Sequence, residues 1–133
     1  MDINDIVRQC RTDSAIYFPS TSDDIGHMTL ALCGETGELA NVIKKIHRGS
    51  LSIEDEDVVA SIAGELADIL IYLANMIGLF GFDASELYKL KRQFNNERFL
   101  DAGSNHQPDL DAAVQSDEPP AFGPTSFIPQ RDV

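Results

Sequence analysis

One stretch of the sequence is apolar on almost every side of a helix, and it constrains the fold more than any other feature. The stretch is DVVASIAGELADILIYLANMIGLF, residues 57–80. So few polar positions are typical of a helix buried at the centre of a protein. We therefore predict a central helix over about 57–79. Its polar residues recur at spacings of 4, 3, 4 and 3 and so share one stripe of the helix: Ser61, Glu65, Asp68, Tyr72 and Asn75.

The rest of the first hundred residues also follows helical spacing. We predict helices over 2–11, 24–47 and 85–100, with a loop between the first two and Asp83 or Ser85 as the cap of the last. Strands are not predicted, because no β-branched run alternates and no tight hairpin turn occurs. The expected fold is an all-α bundle of four to five helices.

The composition changes after Gly103. Residues 104–133 contain five of the six prolines, together with five acidic residues and one basic residue. We therefore divide the chain into an all-α domain over 1–103 and a Pro-rich, acidic tail over 104–133. Such a tail is either disordered or docks on a neighbouring subunit.

The overall charge and the cysteines exclude several classes of protein. A net charge of −12 argues against nucleic acid as a partner, because phosphates attract Lys and Arg. No uninterrupted apolar run reaches the roughly 18 residues of a membrane span, so no membrane partner is expected. Cys10 and Cys33 have neither the spacing of a metal site nor that of a disulfide framework. A cytoplasmic location is the expectation.

Two acidic pairs interrupt apolar helical sequence. Glu35 and Glu38 lie one turn apart within LALCGETGELANVIKKI, and Glu65 and Asp68 are spaced in the same way on the central helix. Packing the two helices antiparallel would bring the four carboxylates into one pocket. The alternative is two unrelated helix faces that are each in contact with solvent.

Buried carboxylates must either take up protons or bind cations. A set of oxygen ligands without His or Cys selects hard divalent ions such as Mg²⁺, Mn²⁺ or Ca²⁺. Di-iron bundles use Glu-x-x-His, whereas here the second residue of each pair is an acid. Two or three Mg²⁺ ions could hold four carboxylates and a nucleoside triphosphate together, and the basic residues of the fourth helix could reach the phosphates.

These motifs, in this order and at this spacing, resemble the MazG-like all-α nucleoside triphosphate pyrophosphohydrolases. The family pattern is E-x-x-E, then E-x-x-D about thirty residues later, then K-x-x-x-N-x-x-R in the following helix. It is matched over about 25–99 by GETGEL, by GELADI and by KRQFNNER. His27 stands eight residues before the first Glu, where relatives often carry His or Asn.

The resemblance implies hydrolysis between the α and β phosphates, giving the monophosphate and pyrophosphate. It makes Glu35, Glu38, Glu65 and Asp68 the catalytic and metal-binding residues, with two or three Mg²⁺ ions per site and Mn²⁺ as a substitute. Which carboxylate activates the water stays open, with Glu38 one candidate. The implied substrate-binding residues are His27, Lys91, Asn95 and Arg98.

The resemblance also implies a homo-oligomer, a dimer or a tetramer, whose pockets use more than one chain. The short single-domain form is similar to bacterial and bacteriophage members, which would place it in the host cytoplasm if phage-encoded. A deoxypurine triphosphate, dGTP first, is the expected substrate. The chain has no Trp, so base stacking would need Tyr17, Phe18 or Tyr72, unless these aromatic residues only pack in the core.

Other functions remain open from the sequence. One is a phosphatase or a house-cleaning hydrolase of damaged or modified nucleotides. Another is a non-enzymatic acidic interaction protein, which the net charge of −12 and the acidic tail favour. An acidic interaction protein of this kind would display its charges on the surface, whereas the paired acids of the two helices lie among Leu and Ile.

Overall fold

The computed structural model of the chain describes residues 1–100, with side chains up to Phe99. It contains four helices and no extended strand in that range: α1 Ile3–Tyr17, α2 Ile25–His47, α3 Glu56–Leu79 and α4 Ala84–Leu100. The prediction of an all-α fold is confirmed. The predicted tail over 104–133 lies outside the described residues.

Helix α1 is longer than predicted. We expected it to end at Arg11, but it continues to Tyr17, so the first half of the predicted loop is helical. A capping box between Asp2 and Asp5 begins the helix. The hydroxyl of Thr12 donates to the carbonyl of Arg8 over 2.9 Å, so this polar residue is accommodated inside the helix. Packing against α3 overrides the weak helix propensity of the segment.

Helices α2 and α3 form an antiparallel hairpin whose ends are encoded locally. Asp24 caps α2 by accepting from the backbone N–H of His27 over 3.0 Å, and Asp55 caps α3. Gly49 ends α2 with φ of 75°, a left-handed conformation that glycine adopts without a steric cost. Gly81 ends α3 in the same way, with φ of 68°. The bounds predicted for these two helices agree with the structure to within one residue.

The small core lies between α1, the C-terminal end of α3 and the start of α4. Val7, Ala74 and Ala84 are buried together, and Ile6, Cys10 and Ile77 pack against them. Helix α3 packs against α1 and α2, while α4 makes its main packing contacts with α1. Met28, in the first turns of α2, is the most buried large side chain, at 2% exposure.

Helix α3 is not buried on all sides by the described part of the chain. Its buried residues are Val58, Ala74, Asn75 and Leu79. Five large apolar residues of α3 are between 43% and 52% exposed, and four of them lie on one stripe: Val59, Leu66, Leu70 and Leu73. The predicted central position of α3 therefore needs a further surface to cover this stripe.

By length and composition, α3 is also apolar enough to cross a membrane, although no uninterrupted apolar run predicted it. The apolar stretch of α3 contains only two charged residues, Glu65 and Asp68, among many Leu, Ile and Ala residues. A single helix of this kind is weak evidence, because the core helix of a soluble bundle passes the same test.

Candidate metal site on the α2–α3 hairpin

The register of the α2–α3 hairpin places the acidic pairs opposite one another. Glu38 lies nine residues before the end of α2 (47 − 38), and Glu65 lies nine residues after the start of α3 (65 − 56). For Glu35 and Asp68 both separations are twelve (47 − 35 and 68 − 56). In an antiparallel pair, positions equally distant from the connection lie at the same level. The two i, i+3 pairs therefore meet on facing turns.

Three of the four carboxylates converge. One carboxylate oxygen from each of Glu35, Glu38 and Glu65 lies within 4.8 Å of the other two. Glu35 and Glu65 are half-buried, whereas Glu38 and Asp68 are exposed at the surface of the hairpin. Asp68 lies outside the 4.8 Å group, but among the neighbouring charges it has the largest effect on the pKa of Glu35. The structure thus brings the predicted pairs together, with Asp68 at the margin.

The cluster makes the ionised form of Glu35 unfavourable. Burial is the largest cause that raises the pKa of Glu35 above its usual range, followed by the negative charges of Asp68, Glu38 and Glu65. Within residues 1–100, none of the four acids forms an ion pair with Lys or Arg. No side chain of the described chain therefore balances the charge of the cluster.

One atom of the cluster is buried without a hydrogen bond. It is Oε2 of Glu65, which has no partner among the described residues. A buried carboxylate oxygen is strongly destabilising unless it meets a donor or a cation. Carboxylate oxygens are also the ligands that hard divalent ions prefer. The residues present therefore fit Mg²⁺ or Mn²⁺, with Glu35, Glu38 and Glu65 closest together and Asp68 beside them.

The predicted substrate-binding residues lie elsewhere on the chain. His27 is exposed in the first turn of α2. On α4, Lys91 lies over the ring of Phe94, with Nζ 4.9 Å from its centroid, and Asn95 is half-buried. Arg98, also on α4, is exposed and lies over the ring of Phe99, 5.1 Å from its centroid. Since α4 packs mainly against α1, the described chain does not gather the α4 residues onto the carboxylates of α2 and α3.

The aromatic residues suggested for base stacking are not grouped either. Tyr17 and Phe18 are 69% and 63% exposed at the end of α1, and Tyr72 is half-buried on α3. The described residues therefore present no assembled stacking site.

The sequence places Asn75 on the polar stripe of α3 but does not indicate a role for it. In the structure it is 4% exposed, and its Oδ1 is the other buried side-chain oxygen without a partner in the described chain. The signal in the sequence was the continuation of the stripe beyond the acids, at 68, 72 and 75.

Comparison with known proteins gives one phage relative. The Gene 37 protein of Mycobacterium phage L5 is 32% identical over 77 residues, an alignment that covers 54% of this chain and 67% of the relative. The name of this relative states no activity. No family model matches the chain. No solved structure matches it either.

Proposed function

The chain belongs to the family of the Gene 37 protein of Mycobacterium phage L5. We propose that it is a metal-dependent nucleoside triphosphate pyrophosphohydrolase. The observation that carries the proposal is the convergence of Glu35, Glu38 and Glu65 within 4.8 Å, with an unpartnered buried oxygen on Glu65. No Lys or Arg of the described chain forms an ion pair with this compact acidic group, whereas it suits cations that in turn bind phosphates.

The four acids would divide the work between holding metal and positioning water. Glu35, Glu38, Glu65 and Asp68 would hold two or three Mg²⁺ ions, with Mn²⁺ as a substitute. When bound, these ions supply charge neutralisation for the phosphate oxygens and for the developing charge at phosphorus. Glu38 is exposed at the edge of the cluster, where a carboxylate can accept a proton from the attacking water. The products would be the nucleoside monophosphate and pyrophosphate.

The phosphate-binding part of the site would come from a second copy of the chain. Lys91, Asn95 and Arg98 lie on α4, which packs mainly against α1 rather than against the acidic hairpin. The exposed apolar stripe of α3, which includes Leu66 and Leu70, offers a surface for a second copy. A homodimer or a tetramer would cover this stripe and would bring the basic side chains of one chain toward the acids of another.

The proposed substrate is a deoxypurine triphosphate, with dGTP as the first candidate. The enzyme would act in the cytoplasm of the phage host. The test is a panel of the eight common NTPs and dNTPs with Mg²⁺ and full-length protein. Monophosphate, pyrophosphate and orthophosphate are measured separately. Monophosphate with pyrophosphate supports the proposal, whereas orthophosphate indicates a phosphatase.

Glu38→Gln provides the matched variant for that assay. It keeps the shape of the side chain and removes one charge from the cluster. We expect activity to fall at least about 100-fold, in the range for loss of a general base, while the helical content is retained. Glu54→Gln is the control, because Glu54 is exposed in the connection between α2 and α3, away from the cluster. Full activity in Glu38→Gln would contradict the assignment of the site.

A house-cleaning hydrolase is the second candidate, since the same acids would serve a damaged or modified nucleotide. Oxidised and deaminated nucleotides added to the panel separate the two functions. A higher kcat/KM for these nucleotides than for the common NTPs and dNTPs would favour the house-cleaning hydrolase. No turnover with any nucleotide, with either Mg²⁺ or Mn²⁺, would favour the non-enzymatic acidic interaction protein.

A further inference from the structure

Asn75 has a buried hydrogen-bond acceptor that the described chain leaves without a partner. Its carboxamide nitrogen donates to the backbone carbonyl of Ile71 over 3.0 Å. Its Oδ1 is buried and accepts nothing from residues 1–100. Buried polar groups in folded proteins almost always have partners, so an exception needs a physical explanation.

The orientation of the carboxamide is fixed by its own helix. Exchanging the nitrogen and oxygen would place Oδ1 against the carbonyl oxygen of Ile71, where two acceptors repel. Oδ1 is therefore the group that Asn75 offers to its surroundings. Met28 of α2 lies at the same level of the hairpin. It lies nineteen residues before the end of α2 (47 − 28), and Asn75 lies nineteen residues after the start of α3 (75 − 56). A thioether has no proton to donate, so Met28 cannot satisfy Oδ1.

Asn75 lies on the same stripe of α3 as the acids. It follows Asp68 by seven residues, two helical turns, which corresponds to a rise of about 10 Å along the helix. A nucleotide whose phosphates lie at the acidic cluster can span that length with its sugar and base. The base would then reach the open end of the α2–α3 hairpin, where Asn75 lies.

We propose that Asn75 is a base-recognition residue whose Oδ1 accepts a hydrogen bond from the exocyclic amino group of a nucleobase. The inference rests on the proposed function, since it assumes that phosphates occupy the acidic cluster. It defines a substrate class: adenine, guanine and cytosine carry the amino donor, and thymine and uracil do not. A site with a buried acceptor rejects a base that lacks the matching donor, because the acceptor is then left unpaired.

Access to Oδ1 requires a local rearrangement, since Asn75 is only 4% exposed. Met28 is unbranched and flexible, and its displacement by a planar base would open this level of the hairpin. The segment before α2 is fastened by Arg11, whose guanidinium donates to the carbonyl of Ser22 and to the carboxylate of Asp23. Movement of the Met28 side chain therefore leaves the end of the hairpin in place.

The test uses pairs of substrates that differ by one amino group. dGTP is compared with dITP, which lacks the 2-amino group, and dATP with the deoxynucleotide of unsubstituted purine. In the wild-type chain we expect kcat/KM to fall by roughly threefold to tenfold on loss of the donor that meets Asn75, the factor for one neutral hydrogen bond. Asn75→Leu should abolish this discrimination and raise KM for the amino-bearing base, with little change in kcat.

Two further variants separate recognition from folding. Asn75→Ala removes the same oxygen without adding a branched side chain, and serves if Asn75→Leu fails to fold. Leu79→Val destabilises the same helix one turn further on without removing a polar group, and it should keep the wild-type discrimination. A merely structural Asn75 would alter the melting temperature and leave the ratio between paired substrates unchanged. That result would overturn the inference, and Oδ1 would then be the partner of a buried water.

The proposed function and this inference can fail separately. If the wild-type chain hydrolyses no nucleotide, thermal shifts with dGMP and dAMP measure base recognition without turnover. A shift in the wild-type chain that Asn75→Leu loses would keep the inference while the hydrolase proposal fails. Equal shifts in both chains, or none, would overturn the inference. Hydrolysis by the wild-type chain with unchanged discrimination in Asn75→Leu would overturn the inference alone.

Discussion

At the residue scale, Glu35 is the position where the site opposes the stability of the fold. Burial and three neighbouring carboxylates raise its pKa, so its ionised form costs free energy in the folded chain but not in the unfolded chain. Deprotonation of Glu35 is therefore less favourable in the folded chain than in the unfolded chain. A cation in the cluster would reverse this penalty, because it interacts favourably with the same charges.

The first prediction concerns the pH dependence that Glu35 creates. The folded-state pKa of Glu35 lies above its unfolded value, so its contribution to stability is present at low pH and is lost as pH rises through the raised pKa. Without divalent ions, Glu35→Gln should therefore melt at a higher temperature than wild type near pH 7. The difference should shrink as the pH falls through the carboxyl range. Melting curves between about pH 4 and 7.5 measure it.

Glu54→Gln is the control for that series, since it removes an exposed acid outside the cluster. Mn²⁺ should then raise the melting temperature of the wild-type chain more than that of Glu35→Gln, because ligand binding to the folded state stabilises it. Equal melting temperatures for the two chains at all pH values would contradict the electrostatic account of Glu35.

The second prediction uses two glycines of α3. A Cβ added at Gly78 would overlap Cγ of Arg11 and would lie 3.0 Å from a methyl group of Val7, so the side chain of Arg11 must shift. Its guanidinium is held by Ser22 and Asp23, which limits the shift. We expect Gly78→Ala to lower the free energy of unfolding by about 1–3 kcal/mol, the usual cost of overpacking.

Gly64→Ala is the matched comparison on the same helix. A Cβ there meets nothing within 4 Å, so the higher helix propensity of alanine should stabilise the chain by up to about 1 kcal/mol. Urea denaturation of both variants measures the difference. Equal stability of Gly78→Ala and Gly64→Ala would contradict the close packing of the Arg11 side chain against Gly78 of α3.

At the scale of the helices, the ends were predictable where one residue decides them. Asp24, Asp55 and the two glycines Gly49 and Gly81 encode the bounds of α2 and α3 in their own side chains or backbones. The end of α1 was not predictable in the same way. The polar residues after Arg11 indicate a loop by propensity, and only packing against α3 reveals that the helix continues.

The candidate site likewise combines features that local sequence patterns predict with features that depend on packing between helices. The two i, i+3 acidic pairs are local patterns, and the short connection between α2 and α3 sets the register that makes them face each other. The distance of α4 from the acids and the unpartnered oxygen of Asn75 depend on packing between helices. The spacing of the polar stripe marks Asn75, but it does not show that its oxygen lacks a partner, and no spacing encodes the position of α4.

The third prediction concerns the link between α1 and α4. The amide of Asn4 donates to Asp83 over 3.0 Å, and its oxygen accepts from the backbone N–H of Ala84 over 2.8 Å. Asn4 thus holds the first turn of α4 against α1. Asn4→Ala should destabilise the chain by about 1–3 kcal/mol, because part-buried groups lose their partners. Asn96→Ala, at an exposed position of α4, should leave the melting temperature nearly unchanged.

At the scale of the whole molecule, the fourth prediction concerns the apolar stripe of α3. A second copy packed on the stripe would bury Val59, Leu66, Leu70 and Leu73, which are all more than 40% exposed in one chain. Leu70→Glu should therefore reduce the mass measured by light scattering to that of one chain. Ile53→Glu is the control, because Ile53 is 57% exposed in the α2–α3 connection, outside the stripe. A wild-type chain that is monomeric in solution but binds lipid vesicles through α3 would contradict the homo-oligomer.

The fifth prediction tests whether two chains share one site. If Arg98 of one chain serves the acids of another, then Glu38→Gln and Arg98→Ala subunits are each inactive alone, since each lacks one half of every site. In a mixed dimer both defects fall in one site, and the other site is intact. With isologous pairing and random exchange, half of the dimers are mixed, so activity should recover to about one quarter of wild type. The measurement is pyrophosphate release after the subunits are unfolded and refolded together. If each site instead lay within one chain, every site of the mixture would keep a defect, and the mixture would stay as inactive as its parents.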